Sequence, residues 1–230
     1  MAKSKKDNAP NQLEAVESVL TKSEQFVEDN QKLLSNIVAI LLILVATFLG
    51  VKRFYIKPLT EEAHSQMYVA EQYFEADSFN LALYGDGTNF GFIDIIDEYG
   101  ITPSGNLSKY YAGISYLHLG EFDEAISYLK KFHKKDKLIG SVAYGAIGDA
   151  YWELDETDKA IKNYIKAADY NKNNFTSAIY LMKAGYAYES IEDYSNALNV
   201  YKMIQEEYKE STEARNIEKN ITRVELLSKQ

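Results

Sequence analysis

Three copies of one short residue pattern, in phase along the second half of the chain, limit what it can fold into. Gly113, Tyr116 and Ala125 form the first copy, and the same spacing returns after 35 and then 37 residues, at Gly148, Tyr151 and Ala160 and at Gly185, Tyr188 and Ala197. Residues three apart share one helical face, and an alanine nine residues further falls on the next helix, where two backbones approach closely. The pattern therefore predicts an all-α array of two-helix repeats, which indicates binding rather than catalysis.

One stretch near the N-terminus is apolar enough to cross a membrane. Residues 37–51 carry no charge, and with residues 33–36 in front the apolar stretch reaches 19 residues, about the length that spans a bilayer core. A cleaved signal peptide would place its apolar region within roughly the first 30 residues. Because Lys52 and Arg53 follow directly, a buried core helix is disfavoured. We predict a single transmembrane helix over residues 33–52.

Composition excludes several classes of site. The chain contains no cysteine, which removes disulfides and thiolate chemistry and is compatible with either a reducing or an oxidising compartment. Residues 58–230 hold 17 Lys or Arg against 28 Asp or Glu. A surface of that sign repels phosphate backbones, so no nucleic-acid partner is expected.

The remaining segments are predicted from local pattern. Residues 1–12 have the composition of a disordered tail, and residues 13–32 place apolar side chains at helical spacing, which predicts an amphipathic helix. Its acidic polar face leaves two alternatives, a partner helix or packing at the lipid interface. Pro58 predicts a break, and Thr60 a helix start. Residues 58–106 are predicted to form a degenerate first repeat with an insertion, which ends in a turn over 103–106. Residues 107–211 are predicted to form three regular repeats, and residues 212–230 are predicted to form a capping helix.

The best copy of the pattern, which also includes Gly120 and Leu129, resembles the tetratricopeptide repeat. The resemblance covers residues 107–211 and, more weakly, the chain from about residue 63. The family's usual proline after the second helix is missing, and Lys172 stands there in the second copy. The resemblance implies an α-solenoid that binds other proteins.

The plan of the whole chain resembles the YfgM-type tetratricopeptide proteins, which are bacterial inner-membrane subunits associated with the SecYEG translocon and the membrane-anchored chaperone PpiD. Residues 23–32, the exit of the span at residues 51–55 and the immediate start of repeats carry the likeness, and residues 79–100 resemble versions from the Bacteroidota. The resemblance implies a cytoplasmic N-terminus and periplasmic repeats, with SecYEG, a PpiD-like chaperone and client polypeptides as partners.

Flanking charge alone does not decide the topology. Lys22 and Lys32 precede the span, and Lys52, Arg53 and Lys57 follow it, which by one charge favours cytoplasmic repeats. Adding the three lysines of residues 1–12 reverses that count. A membrane-tethered adaptor facing the cytoplasm therefore stays an alternative to periplasmic repeats.

No pattern in the chain indicates catalysis. The three histidines, His64, His118 and His133, have no second ligand at metal spacing. The glycines between residues 85 and 91 follow a predicted helix rather than a strand, which favours a structural turn over a dinucleotide loop. We predict that the protein is not an enzyme and that it has no cofactor and no metal site.

The candidate binding site is the groove of the repeats. In the family that the chain resembles, the first helix of each pair faces this groove, which here predicts ten residues: Tyr110, Ile114, Leu117, His118, Asp149, Trp152, Glu153, Met182, Tyr186 and Glu189. Carboxylates at these positions disfavour the acidic chaperone tails that some tetratricopeptide domains bind. Trp152 is either a packing residue or a ligand contact. The sequence thus favours a scaffold that docks a chaperone or emerging clients beside the Sec translocon, and a scaffold for another envelope or secretion assembly is the alternative.

Overall fold

The computed structural model describes residues 24–229, and the chain divides after Pro58 into two compact units. In the first unit residues 24–29 are helical, α1 covers Gln31–Val51, and a π-helical turn covers Lys52–Ile56. The predicted tail, residues 1–12, and residues 13–23 of the predicted amphipathic helix lie outside the described residues.

Helix α1 is exposed on all sides. None of its residues is buried, and Leu42, Ile43 and Phe48 are among its large apolar side chains in contact with solvent. Within residues 24–229, it supplies the apolar part of the one helical stretch that is long and apolar enough to cross a membrane. Membrane anchors and signal sequences both have this length and composition.

The second unit consists of helices in sequence, linked mostly by short turns, and the first of them begins two residues before the division. They are α2 (Lys57–Glu75), α3 (Phe79–Tyr84), α4 (Phe92–Tyr99), α5 (Pro103–Leu119), α6 (Phe122–Lys131), α7 (Lys137–Glu153), α8 (Thr157–Tyr170), α9 (Thr176–Ser190), α10 (Tyr194–Glu207), a 3₁₀ turn (Glu213–Asn216) and α11 (Ile217–Leu227). From α4 onward each helix packs on the next. This is the predicted all-α array of helical hairpins.

Two predictions of secondary structure next to prolines are wrong. Helix α2 begins at Lys57 rather than at Thr60. The residues predicted as a turn, Pro103 to Asn106, form the first turn of α5, where the Thr102 hydroxyl caps the helix by accepting from the Gly105 N–H at 3.1 Å. Pro103 is the first residue of α5, where its missing N–H would be unpaired in any case, so it fits without disrupting that helix. Pro58 instead comes shortly after the π-helical turn, in a helical stretch that runs without a break from Gln31 to Glu75.

The recurring glycine makes room for one large side chain on the second helix of the same repeat. An ideal Cβ placed on Gly113 would lie 2.5 Å from Leu129, and one on Gly148 would lie 2.6 Å from the Tyr164 ring. A Cβ on Gly185 would lie 2.2 Å from the Tyr201 ring. The large side chain always lies sixteen residues after the glycine. Each repeat therefore packs its two helices through the same pair of positions.

A left-handed residue joins the two helices of each repeat. Gly120, Asp155 and Glu192 occupy the same repeat position, with φ of 79°, 58° and 61°. The next residue in each case donates its N–H at 2.9 Å to the carbonyl of the motif tyrosine, Tyr116, Tyr151 or Tyr188. This hydrogen bond closes the helix end and turns the chain back on itself.

The same turn occurs earlier, between α2 and α3. Asp77 has φ of 54°, and the Ser78 N–H donates to the Tyr73 carbonyl at 2.8 Å. The loop that follows α3 is organised by Asp86, whose carboxylate accepts from the backbone N–H groups of Thr88 and Asn89 and from the Tyr73 hydroxyl. The pKa of Asp86 is held well below its usual value by these hydrogen bonds, of which those from Asn89 have the largest effect.

Candidate functional site

The first helices of the three regular repeats form one wall of the domain. Helix α5 contacts α7, and α7 contacts α9, so side chains from all three can line one groove. That groove has a volume of 590 Å³. It is lined by Leu117, His118, Gly120, Phe122, Asp149, Trp152, Glu153, Tyr164, Lys183 and Tyr186.

Six of the ten predicted residues lie in this groove: Leu117, His118, Asp149, Trp152, Glu153 and Tyr186. The other four have different surroundings. Tyr110 packs against Tyr111 and Phe132, each with its ring centre 5.6 Å away, and Ile114 packs against the core. The Met182 sulfur accepts from the Asn220 amide, and Glu189 is held by two partners described below.

Lys183 also lies in the groove and changes its electrostatics, although the sequence pattern does not indicate it. Its ammonium group donates to the two carboxylate oxygens of Asp149 at 2.6 and 2.8 Å. The Tyr164 hydroxyl also donates to Asp149, at 2.9 Å. Burial first, and then the Asp149 carboxylate, raise the pKa of Tyr164, so its hydroxyl stays a donor. Asp149 is therefore neutralised inside the protein.

Glu189 is likewise committed to partners within the domain. It accepts from the Tyr201 hydroxyl at 2.6 Å and from Arg223 through Nε at 2.9 Å and a terminal nitrogen at 2.7 Å. The fork of the guanidinium matches the two carboxylate oxygens. Glu189 therefore joins the third repeat to α11 and is not available to a ligand as a free charge.

Three side chains of the groove remain available to a ligand. Trp152 is 37% exposed and Tyr186 is 49% exposed, and among the described residues the exposed Glu153 has no ion-pair partner. At one end the His118 ring stacks on Phe79 with ring centres 4.4 Å apart and planes 1° apart. The groove thus offers two large aromatic surfaces and one free negative charge.

These features define an α-solenoid of helical hairpins with an aromatic groove on the wall of first helices, which is the architecture of a protein-binding scaffold. Tetratricopeptide repeat family profiles match residues 108–137, 141–174 and 180–211. Those residues are tetratricopeptide repeats, and the predicted repeat array is confirmed over them. No curated protein matches the chain.

Solved structures with the same architecture include two repeat proteins. One consists of nearly identical TPR-like repeats of a kinesin light chain from Podosopora anserina, with a TM-score of 0.55 at 13% identity over 74% of this chain and 88% of that one. The other is MamA, with a TM-score of 0.51 at 20% identity over 74% of this chain and 89% of that one. At these identities the likeness describes the fold.

Proposed function

We propose that this protein is a membrane-anchored scaffold in which α1 spans the bacterial inner membrane and the repeats dock partner polypeptides in the groove. The observation that carries the proposal is the pair of exposed aromatics, Trp152 and Tyr186, beside Glu153, which has no ion-pair partner among the described residues. Large aromatic anchors dominate interface energetics. A segment with an apolar side chain and a nearby Lys or Arg would complement this surface.

The span supports the scaffold by confining the repeats near the membrane. A helix exposed on all sides in water leaves a large apolar surface uncovered, which a lipid core would cover. Confinement raises the local concentration of membrane partners, so a groove of modest affinity suffices for docking.

The partner complex that we propose is the SecYEG translocon, with a PpiD-like chaperone or emerging clients in the groove. The resemblance of the chain's plan to the YfgM-type proteins supports this choice, and it also supports a cytoplasmic N-terminus with periplasmic repeats. Purification from native membranes in mild detergent, against an unrelated single-span control, tests it by mass spectrometry. Enrichment of SecY with the chaperone is the expected result, and strong enrichment of a different complex instead would transfer the function to that complex.

The groove is tested with Trp152→Ala and Tyr186→Ala together. We expect loss of about tenfold or more in recovered partner, because central aromatic anchors typically contribute 2 kcal/mol or more. Tyr68→Ala with Phe175→Ala is the matched control, since both aromatics are exposed and lie outside the groove. Unchanged recovery with the groove variant, at unchanged helicity, would place the interaction outside the groove.

The topology is tested with single cysteines, because the chain has none of its own. Ser127→Cys places a thiol on the exposed face of α6, and Ser4→Cys places one before the span. In intact spheroplasts a membrane-impermeant maleimide should label Ser127→Cys alone. Labelling of Ser4→Cys alone would show that the repeats face the cytoplasm and that the protein is a tethered adaptor there.

A further inference from the structure

A second surface of the repeats has the opposite charge from the domain as a whole. Four lysines, Lys130, Lys134, Lys159 and Lys166, surround two tyrosines of α7, Tyr144 and Tyr151. We call these six residues the lysine valley. Two of the lysines lie on α8, and the others lie on α6 and in the loop just after it.

Each tyrosine lies between two ammonium groups. The Nζ atoms of Lys130 and Lys159 are both 5.2 Å from the centre of the Tyr151 ring, and Lys130 donates to the Tyr151 hydroxyl at 2.7 Å. Seven residues earlier on α7, the Nζ atoms of Lys134 and Lys166 lie 4.9 and 4.2 Å from the centre of the Tyr144 ring. The rings therefore hold four long side chains in defined positions.

The charge of the valley is mostly uncompensated. Lys159 forms an ion pair with Glu156, but no carboxylate among the described residues pairs with Lys130, Lys134 or Lys166. Lys134 is turned toward the protein, where it donates to the carbonyls of Leu129 and Phe132. Burial, and then the positive charge of Lys166, lower the pKa of Lys134 to about 8. The shift therefore reflects mainly the burial of this ammonium group and, in second place, the neighbouring positive charge.

The valley and the groove lie on different sides of α7. At 100° per residue, the direction of Tyr144 and Tyr151 differs by roughly 140° from that of Asp149, Trp152 and Glu153. The valley runs between α6 and α8, the second helices of two repeats, whereas the groove is lined mainly by residues of the first helices. A ligand of one surface therefore leaves the other free.

We infer that the lysine valley binds an acidic, extended segment of a partner protein. The tyrosines that the two lysine pairs surround are seven residues apart on α7, or about 10.5 Å along the helix. A chain in the extended polyproline II conformation covers that length in roughly three residues, and side chains three apart then lie on the same side. A segment with Asp or Glu at every third position would place one carboxylate at each pair. Carboxylates are the complement of ammonium groups, and among the described residues three of the four lysines have no carboxylate partner.

The size of the valley favours a peptide over a larger anionic surface. Residues 58–230 carry 28 acidic against 17 basic side chains, so a membrane or a nucleic acid that extends past the valley meets negative charge. Screening limits exposed charges to interactions within about 8 Å at physiological salt. A short acidic segment can stay within that distance of the four lysines.

The test uses the full-length protein in non-ionic detergent and a fluorescein-labelled twelve-residue peptide that has glutamate at every third position and serine elsewhere. The same peptide with glutamine in place of glutamate is the uncharged control. We expect the glutamate peptide alone to raise the anisotropy, with an affinity that falls as salt rises. Equal binding of the glutamine peptide would overturn the inference.

Variants locate the binding. The double variant Lys130→Gln with Lys166→Gln should lower the affinity for the glutamate peptide about fivefold, because exposed charge pairs contribute up to about 1 kcal/mol each. The double variant Lys130→Arg with Lys166→Arg keeps both charges and should retain the affinity. Lys209→Gln with Lys219→Gln, which changes net charge equally on exposed residues elsewhere, should bind normally. Equal affinity for both glutamine variants, each shown to be folded by circular dichroism, would contradict the assignment.

Two further readouts separate this site from other ones. Trp152 is the only tryptophan and lies in the groove, so its emission should not change when the acidic peptide binds in the valley. A shift in emission with the peptide would place it in the groove instead. Binding of phosphatidylglycerol vesicles or of single-stranded oligonucleotide through Lys130 and Lys166, without binding of the peptide, would overturn the inference in favour of that ligand.

Discussion

Lys183 donates both to Oδ1 and to Oδ2 of Asp149, at 2.6 and 2.8 Å, and so links the first helices of two successive repeats. The two residues are 34 positions apart, about one repeat. With the side chains 40% and 32% exposed, this pair sets the charge of the groove more than it contributes to stability.

Removing Lys183 should therefore alter the groove more than the fold. We expect Lys183→Met to lower the free energy of unfolding by about 0.5–1 kcal/mol, because exposed ion pairs contribute little. Asp149→Asn should cost a similar amount, and the double variant less than the sum. Chemical denaturation followed by circular dichroism measures all three, and additive effects would show that the pair is not coupled.

The contact between Gly148 and Tyr164 predicts a larger effect on stability. A methyl group on Gly148 would lie 2.6 Å from two carbons of the buried Tyr164 ring, so Gly148→Ala forces α7 and α8 apart. We expect a loss of about 1–3 kcal/mol, as for other overpacked cores. Ser127→Ala, on an exposed position of α6, is the control and should be neutral. A neutral Gly148→Ala would mean that the two helices tolerate a wider spacing.

The left-handed residue in the turn between the two helices of a repeat predicts opposite effects on stability for two substitutions, one at Gly120 and one at Asp155. Gly120→Ala puts a side chain at φ of 79° and meets no neighbour, so we expect a loss of about 1 kcal/mol from backbone strain alone. Asp155→Gly removes such strain at φ of 58° and should raise stability by a few tenths to about 1 kcal/mol. Thermal unfolding of the two variants, with Asp158→Ala on the first turn of α8 as a surface control, measures both. Changes of equal sign would show that the left-handed conformation does not limit stability here.

The repeat spacing was enough to predict the helical hairpins, because Gly113, Gly148 and Gly185 each face a large residue sixteen positions later. The start of α5 was missed because Pro103 and Gly105 are typical of turns, and only the hydrogen bond from Gly105 to Thr102 shows that they begin a helix. Proline at a first helical position after threonine is the signal that could have found it.

The groove could be predicted only in part, because local sequence pattern does not specify which side chains of successive repeats pair with each other. Helical phase indicates which residues of one helix face a neighbour, and it brought Asp149 and Trp152 into the groove. The partners of Asp149 and Glu189, which are Lys183 and Arg223, lie 34 residues away. Their pairing depends on the rotation between successive repeats, which local pattern does not specify.

Lys134 gives the domain a pH dependence whose sign can be derived. In the folded state its pKa is about 8, whereas an unperturbed lysine titrates near 10.4. Between these values the unfolded chain binds more protons than the folded one, so this residue makes the free energy of unfolding rise with pH. As the pH falls through 8, Lys134 charges in the folded state and its contribution is lost.

The difference between wild type and Lys134→Met isolates this contribution from other titrating groups. We expect the stability of wild type relative to Lys134→Met to increase from pH 7 to pH 9.5, measured as the difference in denaturation midpoints. Lys166→Gln removes a positive charge next to Lys134 and should raise its pKa, which moves this increase to higher pH. Competitive acetylation with mass spectrometry reads the pKa directly, with the exposed Lys209 as the internal reference. If Lys134 titrates together with Lys209 in wild type, its ammonium group is solvated and the positive field of the lysine valley is weaker than its geometry indicates.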